Sequence, residues 1–292
     1  MKALVFGGSS VIGSRLTKAL GASYTYFNNK INVSGDSFKT DIRDRTATIN
    51  LIKKLNPDLV VHAAAAPNMD VCETDKKLAY DIHINGTKNI IEGCKIVDAK
   101  LVFLSTSAVF DGKKDIYKEE DETCAISYYG ITKADAEKLV ANAGLNFLIT
   151  RMDHPYGWVY FDGQKKNTAV RVLENLDKGL VVEEITDWYN NPTFIDNLTD
   201  VIKKLIEKNS NGIFHVAGPD FLNRYEFASK IAEIFGKDKN LIKKKTSGKL
   251  NLPAKRTNCN LDSKKAEKKS RLELLGIEDG LKEMKKQREA EM

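Results

Sequence analysis

Tyr129 and Lys133 stand four residues apart in the stretch Tyr129-Gly130-Ile131-Thr132-Lys133, a spacing that puts both side chains on one face of a helix. A phenol beside a fixed ammonium is favoured as phenolate, which moves a group with a free pKa of about 10 toward a value useful for proton transfer near neutrality. Upstream, Ser105-Thr106-Ser107 ends the apolar run KLVFL, where hydroxyls at the carboxyl end of a strand face a ligand crevice. Further upstream, GGSSVIG (Gly7 to Gly13) lies between a short apolar run and a helix-like stretch. One glycine lets such a turn bend, another lets the helix pack close on the strand, and the helix N-terminus offers free N–H groups to a pyrophosphate. Each motif alone has an ordinary explanation: an exposed helix pair, a helix cap, a βα turn. Their order along one chain is what joins them.

Elements that could position these groups alternate along the sequence. Apolar or β-branched runs KALVFG, SYTYF, DLVVHAAA, KLVFLSTS, LNFLITR and GIFHVAG read as strands. Between them, 12–20, 46–55, 78–97 and 132–143 are amphipathic and read as helices. The alternation predicts an α/β protein with a Rossmann-type, doubly wound parallel sheet, its ligand at the carboxyl ends of the strands. After Arg151 the rhythm changes, with the aromatic stretch HPYGWVYFDG, helix-like runs at 169–178 and 197–208, and the loop TDWYNNPT. The expected division is a dinucleotide-binding domain over 1–155 with a return segment at about 190–218. A smaller, interleaved C-terminal substrate lobe takes 156–189 and 219–292, with a helix at 224–235.

Composition narrows the functional classes. With 42% hydrophobic and 29% charged residues the chain resembles ordinary soluble proteins, and no apolar run is long enough to span a bilayer. Met1-Lys2 leads directly into a strand-and-turn pattern, so no secretory signal is read and the expected address is the cytoplasm, without a membrane partner. The net charge of +6 is uneven: residues 237–292 hold 17 Lys/Arg against 9 Asp/Glu. These lysines are mixed with acids at helical spacing and lack interleaved aromatics, which favours a solvated helix face over nucleic-acid binding. Cys72, Cys94, Cys124 and Cys259 form no CxxC pair, and His62, His83, His154 and His215 are scattered, so reduced structural thiols and no metal site are expected. Asp196 and Asp200 read as helix-start and surface charges. After the second strand the chain carries Phe27-Asn28-Asn29-Lys30 in place of the acid that binds a ribose 2′-hydroxyl. Asn28, Asn29 and Lys30 suit a 2′-phosphate, so NADP(H) is the expected cofactor, with NAD(H) the alternative.

These motifs, together with Asp41-Ile42, NPDLVVHAAA, Asn85, LSTSAVFDG, YYGITK, the Arg151 and PYG stretch, NNPTFIDNLTDVI, GIFHVAGPDFLNRYEFASKIAEIFG and the late LDSKKAE, resemble the extended short-chain dehydrogenase/reductases. The likeness runs nearly end to end and is greatest to dTDP-4-dehydrorhamnose reductases and their relatives. It implies a catalytic triad of Thr106, Tyr129 and Lys133, with Thr106 polarising a substrate carbonyl. It implies cofactor contacts from Gly7, Ser9, Ser10, Val11 and Ile12, from Asp41 and Ile42 at the adenine, from Ala63, Ala64 and Ala65 at the nicotinamide side, and from Tyr129 and Lys133. Substrate contacts fall on Ser107, His154, Trp188 and Arg256. Four positions depart from the pattern: Ser10 replaces the middle glycine of GxxGxxG, Ser107 and Ala108 replace an Asp and a Tyr that grip the sugar, and His154 replaces a substrate-facing aromatic.

The resemblance implies an NADPH-dependent reductase of a nucleotide-linked 4-keto-deoxysugar, Tyr129 giving the proton and the nicotinamide the hydride. A cofactor-binding regulatory subunit is the alternative from another class, since relatives include the β subunit of methionine adenosyltransferase. A nucleotide-sugar epimerase or dehydratase is the third. The expected partners are a nucleotide-sugar, with a second copy or a partner enzyme as the candidate protein partner.

Overall fold

The computed structural model describes residues 1–33, 35–66 and 68–291. Six strands, β1 (Ala3–Phe6), β2 (Ser23–Tyr26), β3 (Ser37–Lys39), β4 (Leu59–His62), β5 (Lys100–Thr106) and β6 (Phe147–Met152), join a seventh, Gly212–His215, in one sheet. Every pairing in it is parallel. The order is Gly212–His215, β6, β5, β4, β1, β2, β3. All residues of β1 and β4 are buried, because helices cover both faces, and this is why these strands read as continuous apolar runs. The connectivity reverses between β1 and β4, and a crevice opens there at the carboxyl ends of the strands.

Sequence periodicity marks six of the seven strands. The exception, β3, is three residues with a single apolar side chain, Phe38, and none is buried. It exists through its pairing with β2, Tyr24 to Ser37 and Tyr26 to Lys39, which no local apolar signal announces.

The first helix, Val11–Leu20, is capped by Ser10 and ends at Gly21 in the left-handed region. The stretch 78–97, one helix by periodicity, is divided into Lys76–Tyr80, a π turn Asp81–Asn85 and Gly86–Val97. The helix carrying Tyr129 and Lys133 begins at Tyr128, four residues earlier than expected. Ser127 caps it, its hydroxyl accepting from the Gly130 N–H at 3.2 Å, so Tyr129 lies in the first turn.

The chain leaves the sheet at Pro155–Tyr156, returns through the helix Ile195–Glu207 to the strand Gly212–His215, and leaves again. Outside the sheet, the helices Thr168–Asp177, Arg224–Ile234 and Ile277–Glu291 close over their own core, with Tyr156, Val172, Phe227, Leu281 and Met284 buried together. Ile277–Glu291 lies in the basic tail. Its apolar side enters this core while Lys282 and Lys286 pair with Glu278 and Glu283 at the surface, as a solvated helix face should. Asp196 is more than a helix-start charge: it accepts from Arg15 Nε at 2.5 Å and from Gln287 Nε2 at 2.7 Å, tying the first helix to the last. Cys72, Cys94 and Cys259 are buried, whereas Cys124 is exposed. No helix is long and apolar enough to cross a membrane, among the described residues.

Candidate active site

The turn after β1 is fixed by backbone contacts. Gly7 has φ +78°, and a Cβ there would lie 2.6 Å from the Ala64 nitrogen. A Cβ on Gly13 would lie 2.2 Å from the Gly7 carbonyl oxygen, so this glycine lets the helix start press against the strand end. Ser10, in place of a glycine, has ordinary extended backbone (φ −71°). Its hydroxyl donates to Gly7 O at 2.8 Å and accepts from the Gly13 N–H at 3.0 Å. The side chain is folded back as a helix cap and does not stand over the turn's free N–H groups. The first N–H groups of the helix lack intrahelical acceptors, so the turn retains the donors a pyrophosphate needs.

One cavity of about 670 Å³ runs from this turn to the second lobe. Its lining takes in Ser10, Val11, Ile12, Ala63 and Ala65 beside the turn, then Thr106, Tyr129 and Lys133, and, from outside the sheet, His154, Thr168, Arg171 and Arg224 together with Lys165 and Lys166. The three residues Thr106, Tyr129 and Lys133 therefore share one cavity with the glycine turn.

Its electrostatics differ from the sequence expectation. Burial pushes the Tyr129 phenol up to about 12, and the neighbouring Thr106 hydroxyl pulls it only partly back. Lys133 does not acidify it: the ammonium donates to Leu104 O at 2.7 Å and sits 3.9 Å from the centre of the Phe103 ring. Burial brings Lys133 down to about 7, opposed by the charge of Glu137 one turn further on. Glu137 is itself held by Arg151 of β6, Nη2 to Oε2 at 2.7 Å.

His83 is a neighbour that sequence reasoning treated only as one scattered histidine. Its ring meets that of Tyr129 edge-on at 5.6 Å, its Nε2 accepts from the Ala66 N–H at 3.0 Å, and its Nδ1 lies 2.8 Å from Thr132 Oγ1. Because Nε2 accepts, the proton is on Nδ1. Burial, with Lys133 adding to it, holds the ring neutral with a pKa near 3. The π turn places this histidine behind the phenol, a local irregularity that apolar periodicity does not announce.

The far end of the cavity is cationic. Arg224, partly buried, donates from Nε to Asn190 Oδ1 at 3.0 Å and from Nη1 to Thr168 Oγ1 at 2.8 Å. Arg171 is half exposed and pairs with Glu184. Lys165 and Lys166 precede the helix that Asn167 caps. His154 joins this group at φ +37°, with Nε2 buried and without a partner among the described residues. Burial, then the charges of Arg224 and Arg171, keep this imidazole neutral.

Other sequence candidates lie elsewhere. Ser107 is buried and donates to Asp153 Oδ1 at 2.8 Å, where burial raises the Asp153 carboxyl to about 6. Trp188 and Arg256 pack together at 5.5 Å, with Arg256 paired to Asp70 at 2.7 Å; neither lines the cavity. Ala64 packs against Gly7. Asn28, Asn29 and Lys30 are exposed beyond β2, Asp41 pairs with Arg43, and Ile42 packs against Gly86.

A seven-stranded parallel sheet with a glycine turn at its switch point, a Thr at the end of β5 and a Tyr–Lys pair on the helix before β6 defines an extended short-chain dehydrogenase/reductase, an NAD(P)-dependent oxidoreductase class. Residues 1–289 match the family described as the RmlD substrate binding domain. The chain belongs to that family. It is 27% identical to a probable low-salt glycan biosynthesis reductase of Haloferax volcanii over 88% of this chain and 87% of the relative. It is 28% identical to methionine adenosyltransferase 2 subunit beta of Pongo abelii, over 82% and 71%. The crystal structure of a hypothetical dTDP-4-dehydrorhamnose reductase from Sulfolobus tokodaii superposes with a TM-score of 0.82 at 30% identity, covering 96% of this chain and 99% of that one.

Proposed function

We propose that this protein is an NADPH-dependent reductase of a nucleotide-linked 4-keto-deoxysugar, with NAD(H) as the weaker cofactor. One observation carries the proposal: a single cavity joins the glycine turn, the Thr106–Tyr129–Lys133 set and the cations Arg171 and Arg224. That order of groups suits a dinucleotide at one end, a carbonyl in the middle and a diphosphate at the other. A reduced nicotinamide, when bound, supplies the hydride. Tyr129 keeps its proton throughout the physiological range because burial holds the phenol near 12, so it enters the reaction as the acid and donates to the carbonyl oxygen. Thr106 offers a second hydrogen bond to that oxygen. The phenolate left on Tyr129 regains its proton from water, and Lys133, held on Leu104 O with Glu137 favouring its charged form, keeps a cation in the same pocket. Arg171 and Arg224 hold the substrate's anionic part, with the neutral His154 beside them available to a sugar hydroxyl.

Purified protein with NADPH and a dTDP-4-keto-6-deoxyhexose should consume the reduced cofactor. Tyr129→Phe should lower kcat by about 10²–10⁴-fold and weaken NADP by no more than about 10-fold, the scale of one lost hydroxyl contact, since the glycine turn is unchanged. Absence of turnover across a panel of nucleotide-linked keto-sugars would remove the proposal. A substrate converted while the cofactor stays bound, with no net oxidation, would instead identify an epimerase or dehydratase.

A second proposal, an NADP-binding regulatory subunit acting on a partner enzyme such as methionine adenosyltransferase, draws on the loop after β5. Ser107 and Ala108 are both buried, and the Ser107 hydroxyl is committed to Asp153, so this loop presents no polar grip to a sugar. A stable complex with a methionine adenosyltransferase catalytic subunit, regulated equally by wild type and Tyr129→Phe, would favour it. A second copy of this chain is the other candidate partner, read by sedimentation.

A further inference from the structure

We propose that Arg43, rather than Lys30 or the two asparagines, selects the phosphorylated form of the dinucleotide by binding the 2′-phosphate of its adenosine ribose. The inference rests on the dinucleotide end of the proposed function. In a sheet that switches at β1 and β4, the adenosine half of the ligand lies toward the carboxyl ends of β2 and β3. Arg43 stands there. Phe27, the first residue after β2, is 48% exposed, and the Arg43 guanidinium lies over its ring at 5.4 Å.

The guanidinium is already oriented. Its Nε lies 2.9 and 3.0 Å from the two Asp41 carboxylate oxygens and Nη2 lies 2.6 Å from Oδ2, while the Arg43 N–H donates to Oδ1 at 3.0 Å. The loop beneath is fixed from a distant helix: Asn89 Nδ2 donates to Ile42 O at 2.8 Å and to Arg43 O at 3.3 Å. A guanidinium has five N–H donors. Asp41 takes two here, and the rest, on Nη1 and Nη2, have no partner among the described residues. Asp81 is the other acid near this guanidinium, and it is already occupied by Lys77 at 2.6 Å and Asn85 at 2.9 Å.

The competing groups are less prepared. Asn29 Nδ2 donates to Gly163 O at 3.3 Å, which commits its amide to the second lobe. Lys30 is exposed, and a flexible ammonium holds a phosphate as a point charge, whereas a guanidinium binds it through a planar fork. Asp41 therefore acts on the cofactor through Arg43: the carboxylate that would otherwise repel a phosphate is covered by the cation and serves to aim it.

Isothermal titration of the full chain with NADP and with NAD, at one fixed salt concentration, tests this without any turnover. Arg43→Ala should weaken NADP by about 10–100-fold, the scale of a charge-assisted hydrogen-bond pair, and leave NAD within about 2-fold. Arg43→Lys should fall between wild type and alanine, and Lys30→Ala should lose less than about 3-fold. Equal losses for NADP and NAD would show that Arg43 only supports the adenine and would overturn the inference. So would an unchanged NADP affinity, or a loss confined to Lys30→Ala. If wild type binds neither dinucleotide, the proposed function fails with it; if wild type binds NADP and Arg43→Ala binds it equally well, only the inference fails. Thermal unfolding of each variant confirms that the exposed substitutions leave the fold intact.

Discussion

The two ends of the cavity are built by different means. At the β1 end, shape comes from backbone: Gly7 and Gly13 are in place because any Cβ would strike the Ala64 nitrogen or the Gly7 oxygen. At the lobe end, shape comes from long side chains whose partners are remote in sequence, Arg224 on Thr168 and Asn190 and Arg171 on Glu184. Backbone sterics admit one arrangement, whereas side-chain networks can be redrawn by exchanging residues. The glycine end should accordingly be intolerant of change and indifferent to substrate, and the lobe end should be tolerant and decide which anion is held.

Gly13→Ala tests that contrast most severely. With 2.2 Å from the new Cβ to a backbone oxygen, the helix start must shift, and we expect a loss of about 3 kcal/mol in urea unfolding together with loss of NADP binding. A variant as stable as wild type would show that backbone contact does not fix this end. Arg224→Met should have the next largest effect, raising KM for the nucleotide-sugar by about 10–100-fold while leaving the NADP Kd within about 2-fold. A parallel loss of NADP affinity would mean that the two ends cannot be treated separately. Ser10→Ala should have the smallest, about 1 kcal/mol from the lost helix cap, and Ser10→Gly only a few tenths. An improvement in NADP affinity in Ser10→Gly would show that the hydroxyl leaves its cap and obstructs the ligand after all.

The same contrast explains what could be read from sequence. The glycine turn, the apolar strands β1, β4, β5 and β6, and the Tyr129–Lys133 spacing are local patterns, so they were legible and the structure brings them together. The edge strand β3 was not, because three residues with one apolar side chain carry no periodicity and depend on β2 for their pairing. Arg224 and Arg43 were equally hidden. Arginines are common on surfaces, and what distinguishes these two is a partner whose position only the fold reveals: Thr168 for one, Phe27 for the other. The acidified phenol was expected from spacing alone, yet a lysine on the correct helical face turned to a main-chain oxygen instead. Spacing fixes the face of a helix and leaves the last two bonds of a long side chain free.

The Ser10 carbonyl accepts from the Ser14 N–H at 2.8 Å and from Gln164 Nε2 at 3.2 Å, and Gln164 also reaches Ser9 O at 3.1 Å. In a planar trans amide the oxygen and the hydrogen point in opposite directions. A side chain from the second lobe that grips the oxygen of the Ser10–Val11 peptide therefore leaves its N–H facing the other way, and two bonds drawn to the oxygen polarise the unit and strengthen that N–H as a donor. One residue from outside the sheet thus strengthens a donor at the end of β1 while standing on the opposite side of the amide from it.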